Sequence, residues 1–253
     1  MRLSLDLTLQ AKADQLLGGH TGSVILMNAE TGEILTMASH PTYDPNNLDT
    51  EGDAFSTNPS APLVNRAAQG LYPIGDALRP LLLAKFGTAQ PSTPELNDFY
   101  QVLGLNRAPA INMPVSFDAD AATPQKLKAS PLQLIIAAAL LSNQGLEPTP
   151  RIAMAVDTPE QGWVVLSAEA QPIEVIPAGA ANEAALSFIV EGKPYWRHVG
   201  QGKVDGHIVT WLLSGTLPDW GGTPLVIVVT LEEDNSALAL RIGNNILDMA
   251  LNP

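Results

Sequence analysis

A chain of 253 residues, 45% hydrophobic and only 15% charged, is long enough to bury roughly 70–75% of the surface its unfolded form exposes, so a globular fold with a substantial core is expected. The formal net charge of −13, with 13 Lys and Arg in total, argues against a nucleic-acid surface and against electrostatic docking to an anionic membrane, because both need clustered cations. With no cysteine there is no disulfide framework, thiolate nucleophile or cysteine metal site, and no apolar run reaches the roughly 18 residues of a spanning helix.

In chain order, Leu3, Leu5, Leu7 and Leu9 alternate with Ser4, Asp6 and Thr8, which predicts a strand; residues 10–17 then turn helical and stop at Gly18-Gly19. Residues 23–28 and 33–38 flank Ala29-Glu30-Thr31-Gly32 as a β-hairpin with glycine where positive φ is needed. Residues 39–62, with four prolines and several Asp and Asn, read as a polar loop without elements. Next comes Leu71-Tyr72-Pro73-Ile74-Gly75-Asp76-Ala77-Leu78-Arg79-Pro80, a turn followed by an apolar run, with Asp76 placed to cap a buried helix and to pair with Arg79 one turn on. Residues 95–103 form a short helix, residues 104–120 are irregular, and Ser130-Pro131-Leu132-Gln133 opens a strongly apolar helix that closes at Asn143-Gln144-Gly145. Residues 151–156 and 162–166 suggest a hairpin, and residues 182–190 a helix. Residues 207–213 and 224–231 suggest strands and residues 236–251 a helix. Strands near both ends around a mostly helical middle make an α+β architecture in one domain, with the sheet drawn from about residues 1–40 and 195–253 and the helical middle from about 70–190.

Several polar groups invite sharper readings and are better explained otherwise. His20, His40, His198 and His207 lack metal-ligand spacing and are assigned to loops and strand surfaces, so no metal and no cofactor is expected. Ser39 and His40 are adjacent in an extended segment and point apart, which rules against a Ser-His pair. Asp118 and Asp120 lack the glycine and glutamate of a calcium loop. Tyr195, Trp196, Trp211 and Trp220 are read as packing residues before a peptide-binding wall.

Taken together, the stretches Leu5-Asp6-Leu7-Thr8-Leu9-Gln10, Met27 through Ser39, Pro41-Thr42-Tyr43-Asp44-Pro45-Asn46, Asn65-Arg66-Ala67, Tyr72-Pro73-Ile74-Gly75 and Ser130 through Gly145 resemble the transpeptidase domain of penicillin-binding proteins, over nearly the whole chain. The resemblance implies about five antiparallel strands with helices on both faces, a helical subdomain, and a cleft between them for acyl transfer. That chemistry uses a Ser-x-x-Lys at the start of the central helix, a Ser-x-Asn on the helical side and a Lys-Thr-Gly on an edge strand.

This chain departs from all three. Asp76 stands at the serine position and Arg79 at the lysine position; arginine keeps its proton, and a carboxylate attacking an amide would form a high-energy anhydride. The helical subdomain is expected to be pruned after Arg79, since Asn97 and Asn112 are preceded two residues earlier by Glu95 and Ala110, not serine. For the third motif two registers are open, Gln201-Gly202-Lys203 and Lys203-Val204-Asp205, leaving Gln201, Gly202 and Lys203 as candidate binding residues. The resemblance with its losses implies a catalytically inactive transpeptidase-like domain with a scaffold or regulatory role in peptidoglycan synthesis or cell division. Its partners would be cell-envelope or divisome proteins, outside the cytoplasm, with an upstream membrane anchor not in this chain. The alternatives are a non-catalytic binder of peptidoglycan stem peptides and, last, a residual DD-peptidase.

Overall fold

The computed structural model describes residues 1–119, 123–167 and 171–252. In chain order the elements begin with β1 (Arg2–Leu3), α1 (Leu7–Leu17), β2 (Gly22–Asn28), β3 (Ile34–His40), α2 (Leu48–Thr57), α3 (Arg66–Gln69), β4 (Tyr72–Pro73), α4 (Arg79–Phe86) and α5 (Thr93–Val102). They continue with β5 (Lys128–Ala129), α6 (Pro131–Ser142), β6 (Leu146–Glu147), β7 (Ala153–Thr158), β8 (Gly162–Val165), β9 (Ile173–Glu174) and α7 (Ala178–Ser187), and end with β10 (Tyr195–Val204), β11 (His207–Thr216), β12 (Leu225–Leu231) and α8 (Ser236–Leu251).

A five-stranded antiparallel sheet in the order β10-β11-β12-β2-β3 forms the spine. Central β12, Leu-Val-Ile-Val-Val-Thr-Leu, is buried at every residue, as a strand covered on both faces must be. Edge strand β3 alternates buried and half-buried positions instead. On one face α1 and α8 pack over Val24, Leu26, Leu212, Ile227 and Val229. On the other, α3, α4 and α6 enclose the larger core, with every residue of α6 buried. Its Ser130 hydroxyl receives the Gln133 N–H while the Gln133 side chain returns to the Ser130 N–H, a reciprocal cap that satisfies two otherwise orphaned donors. A second, small sheet, β1-β7-β8, stands apart from the spine.

The predicted hairpin, the strands at residues 207–213 and 224–231, and the terminal helix are all present. Other expectations need correction. The leucine alternation at residues 3–9 is not a strand: Asp6 accepts the Thr8 and Leu9 N–H groups, so the helix starts at Leu7 and only Arg2–Leu3 is extended. Residues 39–62 are not all loop, because α2 forms there as an exposed helix with no buried residue. The helix expected at residues 182–190 runs from Ala178 to Ser187. His40 is not a surface residue: it is buried at the end of β3, with Nδ1 on Gly18 O at 2.7 Å and Nε2 on Asp14 Oδ1 at 2.6 Å. Ser39 turns away, donating to Val64 O, so the two form no catalytic pair. Tyr195, Trp196 and Trp211 are fully buried, and both of these indoles donate inward, to Ser142 Oγ and Pro73 O. Asp118 accepts the Lys128 N–H, and Asp120 lies outside the described residues.

Candidate functional site

The head of α4 meets the edge of the main sheet at residues 73–79. Gly75 adopts φ +52°, a left-handed conformation that glycine takes without strain, and the turn closes through Ala77 N–H to Ile74 O and Arg79 N–H to Asp76 O. Regular helix begins only at Arg79, two residues later than expected from a cap at Asp76. Asp76 is therefore not its cap; Leu78 holds that place with no side-chain bond, and Pro80 sets φ in the first turn. Nor do Asp76 and Arg79 pair: among the described residues no ion pair joins them, and Arg79 is exposed.

Asp76 instead reaches across to β10. Its Oδ1 accepts the Gln201 N–H at 2.7 Å, and its own N–H points to Gln201 O at 3.4 Å. His198 Nε2 lies 2.9 Å from Asp76 O, and the Gln201 side-chain amide donates to Asp234 Oδ1 at 2.6 Å. The physical reason is the sheet edge. Gln201 turns its backbone away from β11, which leaves an outward N–H that the Asp76 carboxylate takes in a charge-assisted bond.

Glycines make the approach close enough. A methyl group on Gly202 would overlap Pro73 O, one on Gly75 would overlap Gln201 O, and one on Gly200 would lie 2.7 Å from Ala77 N. Upstream, the same edge of β10 is occupied by residues 188–190: Arg197 N–H donates to Phe188 O, and Val190 N–H to Tyr195 O. The outer backbone of β10 is thus engaged by its own chain at Tyr195, Arg197 and Gln201.

The three candidate binding residues fare differently. Gln201 is part of the contact through its backbone and its side chain, Gly202 is buried against Pro73, and Lys203 projects exposed from β10 opposite Ile208. Neither register read from the sequence sets a glycine against the helix head in the motif's place. The glycine of β10 that lies against the helix head is Gly200, close to Ala77, with His198 two residues before it on Asp76 O. His198 was missed as a site residue; the glycine was the available signal. Burial pulls the His198 imidazole below its usual pKa, with the nearby Arg79 guanidinium pulling the same way and the Asp76 carbonyl and carboxylate opposing. Asn97 and Asn112 line two other cavities, neither of which includes Asp76 or Arg79.

Arg79 cannot take a proton, and the two backbone donors nearest the site, Asp76 N–H and Gln201 N–H, already face acceptors, so they do not form a free oxyanion hole.

A family model described as the penicillin binding protein transpeptidase domain matches residues 22–91, the hairpin through the loop after α4. Among solved structures, PBPA from Mycobacterium tuberculosis superposes with a TM-score of 0.82 at 17% identity, covering 99% of this chain and 81% of that one. The chain has the fold of a penicillin-binding-protein transpeptidase domain. The D,D-transpeptidase domain of a peptidoglycan glycosyltransferase from Eggerthella lenta gives a TM-score of 0.79 at 16% identity, over 98% of this chain and 82% of that one. At these identities the structural likeness speaks for the fold. In sequence, the peptidoglycan D,D-transpeptidase MrdA of Escherichia coli strain K12 is 40% identical over 84 residues, 31% of this chain and 13% of that protein. MrdA of Acinetobacter baumannii is 39% identical over 84 residues, 31% of this chain and 12% of that protein. The matched part is thus a small fraction of these relatives' length. Among the described residues no helix is long and apolar enough to cross a membrane.

Proposed function

We propose that this transpeptidase-type domain takes part in bacterial peptidoglycan synthesis without catalysing acyl transfer, as a scaffold or regulatory module of the cell envelope outside the cytoplasm. Relatives named as peptidoglycan D,D-transpeptidases support the process. The single observation that carries the loss of chemistry is the bond from Gln201 N–H to the Asp76 carboxylate at the head of α4. It puts an anion at the nucleophile's place and ties up the edge strand beside it. The same closure favours a scaffold over a stem-peptide binder, since a peptide adding to β10 would have to displace Asp76 and residues 188–190.

Incubation with a fluorescent penicillin followed by intact-mass measurement tests this reading: the mass is expected to stay unchanged. A covalent adduct on any residue would refute it. Calorimetric titration with purified muropeptides is expected to give no saturable heat, and a saturable isotherm would establish the binder instead.

A further inference from the structure

The small sheet β1-β7-β8 carries a feature that the closed cleft does not explain. Strand β8 pairs antiparallel with β7, with Ala155 opposite Val165 and Asp157 opposite Trp163. Leu166 N–H bonds Met154 O, so by the two-residue alternation of an antiparallel ladder Val164 and Leu166 turn their backbone groups toward β7. Trp163 and Val165 turn theirs outward, and among the described residues no other strand pairs with β8.

The side chains of the same two residues are also open. Trp163 is 47% exposed and Val165 76%, with Leu3 on β1 at 44%. Nothing between Gly162 and Leu166 is charged, and no proline or bulge interrupts the strand. Charges, prolines and bulges are devices that protect sheet edges, and the four residues of β8 carry none of these three. The other edge of the sheet is β1, and from it the Arg2 guanidinium lies 4.3 Å over the Trp163 ring. Among the described residues no carboxylate sits within ion-pair distance of Arg2.

We infer that β8 is a docking edge for an extended segment of a partner protein, which adds as a further strand, sets apolar side chains against Trp163 and Val165, and brings an acidic residue to Arg2. The outward backbone groups specify an extended occupant, and the exposed alternate side chains specify its apolar positions. Arg2 specifies the acid. A second copy of this chain is the poorer occupant, because it would bring another thirteen net negative charges.

Amide hydrogen exchange on the whole chain tests the arrangement. In dilute protein the Trp163 and Val165 amides are expected to exchange rapidly and those of Val164 and Leu166 slowly. Adding the blocked peptide acetyl-Thr-Ile-Thr-Glu-Thr-Val-amide, whose Ile, Glu and Val side chains share one face, is expected to bind saturably and to slow exchange at Trp163 and Val165. Val165→Pro removes an outward N–H without breaking the β7 ladder, and Trp163→Lys removes the aromatic contact; each should weaken the peptide by about tenfold or more. Trp163 and Val165 amides already protected in dilute protein would overturn the inference. So would equal binding of the peptide N-methylated along one edge. Protection that grows with protein concentration while the mass doubles would put a second copy on this edge and overturn the partner assignment.

Discussion

Asp76 shows how one carboxylate changes what a helix head can do. In the transpeptidase family's plan this position belongs to a hydroxyl waiting for a base; here an anion accepts a strand N–H 125 residues away in sequence. Restoring the motif's letters does not restore its surroundings. The double substitution Asp76→Ser with Arg79→Lys is expected to remain unlabelled by fluorescent penicillin, because no asparagine between Arg79 and Ser130 has a serine two residues before it, and an adduct in the intact mass would show a more complete cleft. The glycines along the contact can be tested by stability. Gly202→Ala must push Pro73 O and β10 apart and is expected to cost about 1–3 kcal/mol, as overpacking does. Gly179→Ala, in α7 with nothing within 4 Å of the added methyl, should instead stabilise by about 0.5–1 kcal/mol. Chemical denaturation of the two variants side by side reads the contrast.

At the scale of elements, α6 holds the helical middle of the molecule against the sheet. Its cap is reciprocal, and the Gln133 amide also donates to the carbonyls of Gly104, Leu105 and Arg107, fixing the loop after α5. Ser130→Ala is expected to cost about 1 kcal/mol, as for other helix caps. Gln133→Leu should cost more, since it leaves buried carbonyls without donors, a penalty of about 1–3 kcal/mol for each group left unsatisfied. Urea unfolding should rank the two in that order; equal effects would mean that the loop has found other partners. These elements were legible in the sequence because their signals are local: Ser-Pro-Leu-Gln announces a capped helix wherever it packs. The first helix was misread because Leu3 to Leu9 satisfies a strand period, and the Asp6 cap that decides the matter needs only two residues of backbone to change its conformation. Exposed α2 was missed because proline and Asn-rich composition looks like loop, and no apolar stripe marks a helix that buries nothing.

Across the whole molecule, a buried network ties the hairpin half to the C-terminal half. Arg66 is buried, its Nε donates to Glu232 Oε1 at 2.8 Å, and its remaining nitrogens donate to Ser60 O and Ala61 O. The Tyr72 hydroxyl donates to the same Glu232 oxygen at 2.7 Å. Burial, and then the charge on Glu232, hold the Tyr72 phenol far above its ordinary value, with Arg66 opposing. The sign follows from the proton count: above about pH 10 the unfolded chain releases a proton that the folded one keeps, so stability falls as pH rises. Denaturation midpoints are expected to drop through this range for the native chain and to drop less for Tyr72→Phe; parallel slopes would show that another group is responsible.

By itself the sequence determined the strands of the spine, the capped apolar helix, the resemblance that orders them, and the identities of Asp76 and Arg79 where serine and lysine would serve. Those features rest on local periodicity and on residue chemistry, which do not depend on what lies opposite. Only the tertiary structure decided that Asp76 is neither a helix cap nor an ion-pair partner, that His198 and Gln201 are the strand residues facing it, and that β8 is left with an open edge. Each of these depends on which backbone groups find a partner after distant segments meet, and that pairing is settled by the packing of the whole chain.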